Sequence, residues 1–162
     1  MTWPSVYIGG IGLICSLGGD PEAVEHALRQ NRSGIRPLDL FDLLQGDPLP
    51  VGQVDALAEK SSLPRTHRLA LIAAGQALEG ASEPPDAIIL GTTTGGILTT
   101  EQLLREGEQD RSAYRYHGLH SVSDCLAAEF GCSGPALTVS TDCSYGVVAL
   151  DIGQATCRRG RV

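Results

Sequence analysis

Cys143 stands where a β-branched segment gives way to small and apolar residues, in the stretch 138–153, TVSTDCSYGVVALDIG. The pattern predicts a strand that ends at Thr141 and turns directly into a helix that begins at Cys143. Unpaired N–H groups at a helix start favour a thiolate and can hold an oxyanion when a thioester is attacked. The residues alone leave two interpretations of Cys143 open, a nucleophile or a buried structural thiol, because free cysteine is often buried.

The other cysteines and the histidines offer weaker candidates. The five cysteines form an odd set without close-paired spacing, which predicts free thiols in a reducing, cytoplasmic compartment. A zinc site would need His117, His120, Cys125 and Cys132, whose spacing matches none of the common structural sites. Both histidines lie in a predicted polar loop, where a catalytic role stays open. The remaining two, His26 and His67, lie on predicted helices, and we expect them to be surface or boundary residues.

Charge and hydropathy exclude two classes of partner. The formal net charge of -7 offers no basic field for a phosphate backbone, and the one basic cluster lies at residues 158–161. We therefore expect no nucleic-acid partner. The first 19 residues carry no charge, but they lack a basic leader and are interrupted by Pro4 and several glycines. We expect neither a signal sequence nor a membrane span.

Strand and helix patterns alternate along the chain, which predicts one layered α/β domain over residues 1–162 with at least part of its sheet parallel. Both the second and the last predicted helix are apolar around most of their circumference, so we expect them to be buried between layers. We expect strands at Val6–Cys15, 86–91 and 134–141. We expect helices at 20–33, with Asp20 as its cap, and at 65–81, 97–107, 121–130 and 143–159. Residues 37–64 are expected to form loops and short strands.

Three stretches resemble beta-ketoacyl-acyl-carrier-protein synthases, in the order and at the separations of that family. Residues 6–38, VYIGGIGLICSLGGDPEAVEHALRQNRSGIRPL, are similar to its opening strand, Gly-Ile-Gly, turn, helix and Ser-Gly-Ile. IILGTTTGG at 88–96 resembles its later strand and glycine turn, and GPALTVSTDCSYG at 134–146 resembles its nucleophile region. The resemblance implies the N-terminal half of a layered thiolase-like fold, with a mixed, mainly parallel sheet and helices on both faces.

The resemblance also implies a chemistry for Cys143. The matching cysteine of the family accepts an acyl chain from the phosphopantetheine arm of an acyl carrier protein, and its backbone N–H is one oxyanion donor. The thioester is then condensed with a malonyl unit, with loss of carbon dioxide, in fatty acid or polyketide synthesis. No metal and no organic cofactor are needed. The implied partners are the carrier protein and either a second copy or a complementary synthase chain.

This sequence departs from the family in three respects. Family members are more than twice as long, and their catalytic histidines and second oxyanion donor lie in the second half. Asp142 stands where many relatives have Ala, and a carboxylate there would oppose thiolate formation unless it points away. Tyr145 is larger than the usual small residue, so it either narrows the acyl pocket or packs against a neighbour.

Three functions therefore stay open at this stage. The first is the nucleophile-bearing half of a condensing enzyme, completed by residues or a chain absent here. A second is a non-catalytic truncated paralogue that serves as a dimerisation or interaction module. The third is a stand-alone cysteine acyltransferase or thioesterase that uses His117 or His120.

Overall fold

The computed structural model describes residues 5–39, 49–55, 57 and 61–160. They group into two compact units, one within 1–9, 61–71 and 80–162 and the other within 10–60 and 72–79. The single domain expected from the sequence stays a prediction.

In chain order the elements are α1 (Pro21–Arg29), β1 (Ile35–Pro37), β2 (Pro50–Gly52), α2 (Arg65–Ala77), β3 (Ile88–Gly91), α3 (Ile97–Glu106), α4 (His120–Phe130), β4 (Ala136–Val139) and α5 (Tyr145–Arg158), with 3₁₀ turns at Arg111–Tyr114 and Asp142–Ser144.

The unit within 10–60 and 72–79 begins with a capped helix and a small hairpin. Asp20 accepts a 2.7 Å hydrogen bond from the amide of Ala23, and Pro21 occupies the first turn, as the sequence predicts for α1. Strands β1 and β2 pair antiparallel, with Ile35 opposite Gly52. Strand β2 confirms a short strand within the expected range 37–64, whereas β1 begins two residues before that range. Residues 40–48, 56 and 58–60 of that prediction lie outside the described residues.

The other unit is built on a parallel pair of strands, β3 and β4, with Ile89 opposite Leu137. Ile89 reaches towards α5, where its Cδ1 would lie 3.8 Å from a Cβ added at Gly153. Thr138, one residue along β4 and therefore on the other face, places its Oγ1 2.8 Å from Ser123 Oγ on α4. The two strands thus lie between two helices, which confirms the parallel pairing and the helices on both faces.

The strand expected over Val6–Cys15 is wrong. Within the described chain, residues 5–14 belong to no strand, and Cys15 makes only an isolated bridge with Gly18. The glycines explain the difference, because a Cβ at Gly10 or Gly12 would collide with the backbone of α2. The glycines allow the segment to lie close to a helix, so its apolar residues do not form a paired strand.

The expected burial of the two apolar helices is also wrong. On α5 only Ala149 is buried, and Val147 and Leu150 are each 73% exposed. No element of the described chain covers that side of the helix. On α2 only His67 is buried and the rest of the helix is half-buried. Among the described residues, no helix combines the length and the apolar character that a membrane crossing needs.

Candidate active site

Cys143 lies at the carboxyl-terminal edge of the β3–β4 pair. Parallel strands end at the same edge, so the segment that follows β4 and the Thr92–Gly96 turn that follows β3 are neighbours. The amide of Thr92 donates a 3.0 Å hydrogen bond to the carbonyl of Val139, the last residue of β4. Ligand sites of open parallel sheets lie at this edge, which makes it the candidate site.

A sharp turn presents Cys143, and α5 begins two residues later than the sequence predicts. Asp142 has a left-handed backbone, with φ of 49°, a conformation that Asp tolerates better than most residues. Ser144 closes the turn, since its amide and its Oγ both donate to the carbonyl of Thr141, at 3.1 and 2.8 Å. Residues 142–144 therefore form a 3₁₀ turn, and α5 begins at Tyr145.

Both functional groups of Cys143 are available to a substrate. The residue is exposed. Within the described chain, neither its thiol nor its amide N–H makes a hydrogen bond to another residue. An accessible thiol beside a free backbone donor can attack a carbonyl carbon while the N–H binds the oxygen that becomes negative.

Tyr145 anchors the start of α5 on the end of β3. A Cβ added at Gly91 would lie 2.6 Å from the carbonyl oxygen of Tyr145 and 2.8 Å from its ring. Only glycine permits this approach. Of the two interpretations of the large Tyr145 side chain, the structure shows packing against a neighbour.

The four residues that a zinc site would need are not grouped for metal binding in the described chain, and the histidines lie in different surroundings. Among the described residues, no three His, Cys, Asp or Glu side chains are grouped so that they could hold a metal ion. His26, His117 and His120 are exposed, and His117 Nδ1 lies 3.2 Å from Thr100 Oγ1. No hydrogen bond joins any of these three to Cys143 within the described chain.

His67 is a residue that the sequence interpretation missed, since it is fully buried rather than at a surface or boundary. Its Nε2 lies 3.0 Å from Ser121 Oγ, and its ring meets that of Tyr116 edge-on, with centroids 5.0 Å apart. Burial lowers the pKa of His67 below its ordinary value. The available signal was a histidine inside an Ala- and Leu-rich helix.

The exposed face of α5 borders a groove of about 970 Å³. Apolar side chains dominate one side of it, with Val147 and Leu150 on the helix and Tyr7 and Ile8 from the segment before α1. Tyr7 and Ile8 are more than four-fifths exposed. An apolar surface of this kind is typical of a place where another chain or segment docks.

The whole chain is similar to known ketosynthases. Residues 4–162 match the family described as Beta-ketoacyl synthase, N-terminal domain. A curated relative, the Putative polyketide beta-ketoacyl synthase 1 of Streptomyces cyaneus, is 28% identical over 96% of this chain and 43% of its own length. The chain thus spans less than half the length of such relatives.

Solved structures agree with this assignment. The ishigamide ketosynthase/chain length factor matches with a TM-score of 0.78 at 26% identity, over 96% of this chain and 44% of its own. The ketosynthase ApeO in complex with its chain length factor ApeC, from Xenorhabdus doucetiae, matches with a TM-score of 0.74, also at 26% identity and with the same coverage. The thiolase-like fold predicted from the sequence is confirmed. The chain belongs to the beta-ketoacyl synthase N-terminal domain family and spans less than half of the relatives that it matches.

Proposed function

We propose that this chain is the nucleophile-bearing half of a 3-oxoacyl-[acyl-carrier-protein] synthase, in which Cys143 accepts an acyl chain as a thioester. One observation carries the proposal. Cys143 is exposed on a left-handed turn at the sheet edge, with a thiol and an amide N–H that no other described residue occupies. Family membership indicates the class of reaction. The position and exposure of Cys143 on the turn indicate which residue is the nucleophile.

The first step is a transfer between two thiols. The Cys143 sulfur attacks the carbonyl carbon of an acyl-phosphopantetheine thioester, and the amide N–H of Cys143 stabilises the oxyanion. The carbon–sulfur bond to pantetheine then breaks, and the proton lost by Cys143 leaves with the pantetheine thiol. A Cys143 thioester results, with no net change in oxidation state.

The second step needs groups from outside this chain. A malonyl unit on the carrier protein loses carbon dioxide, and its carbanion attacks the acyl carbon and releases the Cys143 thiolate. The resemblance assigns the histidines for this step to the second half of the fold. We infer that either a continuation of the same polypeptide or a separate synthase chain supplies them. No observation in the described residues favours the alternative of a non-catalytic module.

The partners follow from the same proposal. An acyl carrier protein delivers the substrate, and a second copy or a complementary synthase chain covers the exposed apolar face of α5. Support for a complementary chain comes from the two similar solved ketosynthases, each of which is described together with a chain length factor. We place this activity in the cytoplasm because the cysteines are free, in agreement with the odd cysteine count.

Acyl loading of paired cysteine variants tests the proposal. Cys143→Ala and Cys157→Ala form a matched pair, since both thiols are exposed and only Cys143 lies at the sheet edge. With acyl-pantetheine thioesters of two to ten carbons, we expect Cys143→Ala to take up no acyl group and Cys157→Ala to load at the wild-type rate. Equal loading of Cys143→Ala and the wild type would overturn the assignment.

The mass of the natural polypeptide tests where the second half comes from. Mass spectrometry of the native protein that contains the Cys143 peptide gives its intact mass. A mass more than twice the 17.0 kDa of this sequence supports one continuous synthase. A mass near that value, with a second synthase chain in the same native complex, supports the complementary chain.

A further inference from the structure

His67 and Ser121 form a buried pair that the Cys143 chemistry does not use directly. His67 Nε2 lies 3.0 Å from Ser121 Oγ, and Ser121 Oγ lies 2.6 Å from the carbonyl oxygen of Gly118 and 3.0 Å from that of Tyr116. A hydroxyl has one hydrogen, and these carbonyls can only accept it. Ser121 therefore donates to the loop backbone and accepts from His67, which must carry its proton on Nε2.

The surroundings keep His67 in this neutral form. Its Nδ1 is buried and has no hydrogen-bond partner among the described residues. A second proton would place an unpaired donor and a charge inside the protein, which costs free energy. The lowered pKa of His67 agrees with this cause. At neutral pH the imidazole is thus a fixed single donor to Ser121.

The charged groups around the pair reinforce the neutral form. The Tyr116 ring contacts both His67 and Arg115, whose guanidinium carbon lies 4.7 Å from the centre of that ring. No carboxylate forms an ion pair with His67 within the described chain. The other titratable side chains on the elements that meet here are Arg65 and Arg68 on α2, His117 on the loop, and His120, Asp124, Cys125 and Glu129 on α4.

The loop that Ser121 holds lies directly on the glycine turn after β3. The amide of Gly96 donates a 2.7 Å hydrogen bond to the carbonyl oxygen of Tyr116. A Cβ at Gly95 would lie 2.7 Å from the carbonyl oxygen of Gly118, so the two backbones touch. The same two carbonyls therefore contact Ser121 on one side and the glycine turn on the other.

The glycine turn continues the segment that borders Cys143. Thr92, at its start, is hydrogen-bonded to the end of β4, and its Oγ1 donates to the carbonyl of Thr94 at 2.9 Å. We propose that His67 and Ser121 are positioning residues for the Cys143 site, holding the 116–118 backbone against Gly95 and Gly96 and so fixing the Thr92–Thr94 turn beside the nucleophile. The inference rests on the proposed function of Cys143.

Two His67 variants separate positioning from simple packing. In His67→Gln the amide nitrogen can replace Nε2 as donor to Ser121 without titrating, and in His67→Leu the donor is lost. At pH 7.5 we expect acyl loading of Cys143 to stay within about twofold of wild type in His67→Gln and to fall about ten- to a hundredfold in His67→Leu. The exposed His26 supplies the control variant His26→Gln, expected to load like the wild type.

The pH dependence of acyl loading is a measurement that would not change if His67 only filled space in the core. Protonation keeps the Nε2 donor but places an unpaired charged Nδ1–H inside the protein, which should loosen the buried pair. Between pH 7 and 5 we therefore expect the loading rate of wild type, divided by that of His67→Gln, to fall along the protonation curve of His67 measured by NMR. His26→Gln should follow the wild type throughout. A wild-type to His67→Gln ratio that stays constant over this range would overturn the proposal.

Hydrogen exchange keeps the test independent of catalysis. We expect the amides of residues 92–96 to exchange at least about tenfold faster in His67→Leu and in Ser121→Ala than in wild type and His67→Gln, with the β3 amides unchanged. Unchanged exchange at 92–96 in Ser121→Ala would overturn the proposal, and this variant serves if His67→Leu does not fold. If wild type takes up no acyl group, the proposed function fails, and the exchange data alone decide whether His67 positions the turn.

Discussion

Helices α4 and α5 lie on opposite faces of the same two strands and have similar apolar character, yet one is covered and the other is not. On α4, Ser121, Val122, Ser123 and Leu126 are buried. On α5 only Ala149 is buried, and the apolar side chains Val147 and Leu150 face outward. Because their apolar character is similar, the difference in burial comes from what surrounds each helix.

The difference supports our proposal that a further segment or a second chain covers α5. An apolar helix that is covered stabilises the unit that contains it, whereas an uncovered one stabilises an assembly instead. Because Cys143 lies two residues before α5, the proposed nucleophile lies beside this uncovered surface. The relatives are more than twice as long as the matched region, which agrees with the proposal that residues beyond this region cover the face.

The largest expected effect is a contrast between two leucines. Leu126 on α4 is 6% exposed and Leu150 on α5 is 73% exposed. Leu126→Ala should lower the free energy of unfolding by about 3 kcal/mol, because it removes buried methyl groups and leaves a cavity. Leu150→Ala should change it by less than about 0.5 kcal/mol. Urea unfolding of both variants measures the contrast, and equal losses would contradict it.

A smaller contrast concerns two serines. Ser123 is fully buried, and its Oγ contacts Thr138 Oγ1 at 2.8 Å and the carbonyl of His120 at 2.9 Å. Ser123→Ala leaves the Thr138 hydroxyl without this partner and should cost about 1–2 kcal/mol of unfolding free energy. Ser144→Ala, on the exposed side before α5, should cost less than about 0.5 kcal/mol. A loss of unfolding free energy in Ser144→Ala as large as that in Ser123→Ala would mean that the α4 side and the α5 side of the strands are equally well packed.

The buried side should also make stability depend on pH. Burial lowers the pKa of His67 in the folded state, so below about pH 6.5 the unfolded chain takes up the proton first. The contribution of His67 to stability is complete above that pH and is lost as the pH falls towards its folded pKa. Unfolding free energies from pH 8 to 5 should fall less steeply for His67→Gln than for wild type. Parallel curves would show that His67 does not titrate differently in the two states.

The smallest effect on stability is expected on the α5 face, where association changes instead. Val147→Glu should leave the unfolding free energy within about 0.5 kcal/mol of wild type, because the side chain is exposed. It should reduce binding of a hydrophobic dye and weaken association with a second chain, measured by sedimentation. Unchanged dye binding would mean that this face of α5 is not the apolar surface that binds the dye.

Sequence patterns predicted most of the elements because their signals are local. The cap at Asp20, the alanine- and leucine-rich α2 and the β-branched strands β3 and β4 all formed where expected. The strand predicted at Val6–Cys15 failed because its outcome depends on a neighbour, and the glycines there approach a helix. The prediction that α5 is buried was wrong for a similar reason, because the residue pattern of a helix does not show whether another element covers it.

The candidate site was only partly predictable. A cysteine between a strand and a helix could be located from its neighbours, and the observed helix begins at Tyr145, two residues after the predicted start at Cys143. The left-handed Asp142 and the contact of Tyr145 with Gly91 depend on how β3 and β4 end side by side. The burial of His67 depends on Tyr116 and Ser121, which are distant in the sequence, and its one local signal is its place in an Ala- and Leu-rich helix.

Peptide mapping of the acyl group on the wild-type protein tests the central claim most directly. The protein is incubated with an acyl-pantetheine thioester, digested under mildly acidic conditions that preserve thioesters, and analysed by tandem mass spectrometry. We expect the acyl group on Cys143 and on none of Cys15, Cys125, Cys132 and Cys157. An acyl group found mainly on Cys157, or spread over all five cysteines, would contradict the assignment of Cys143 as the nucleophile.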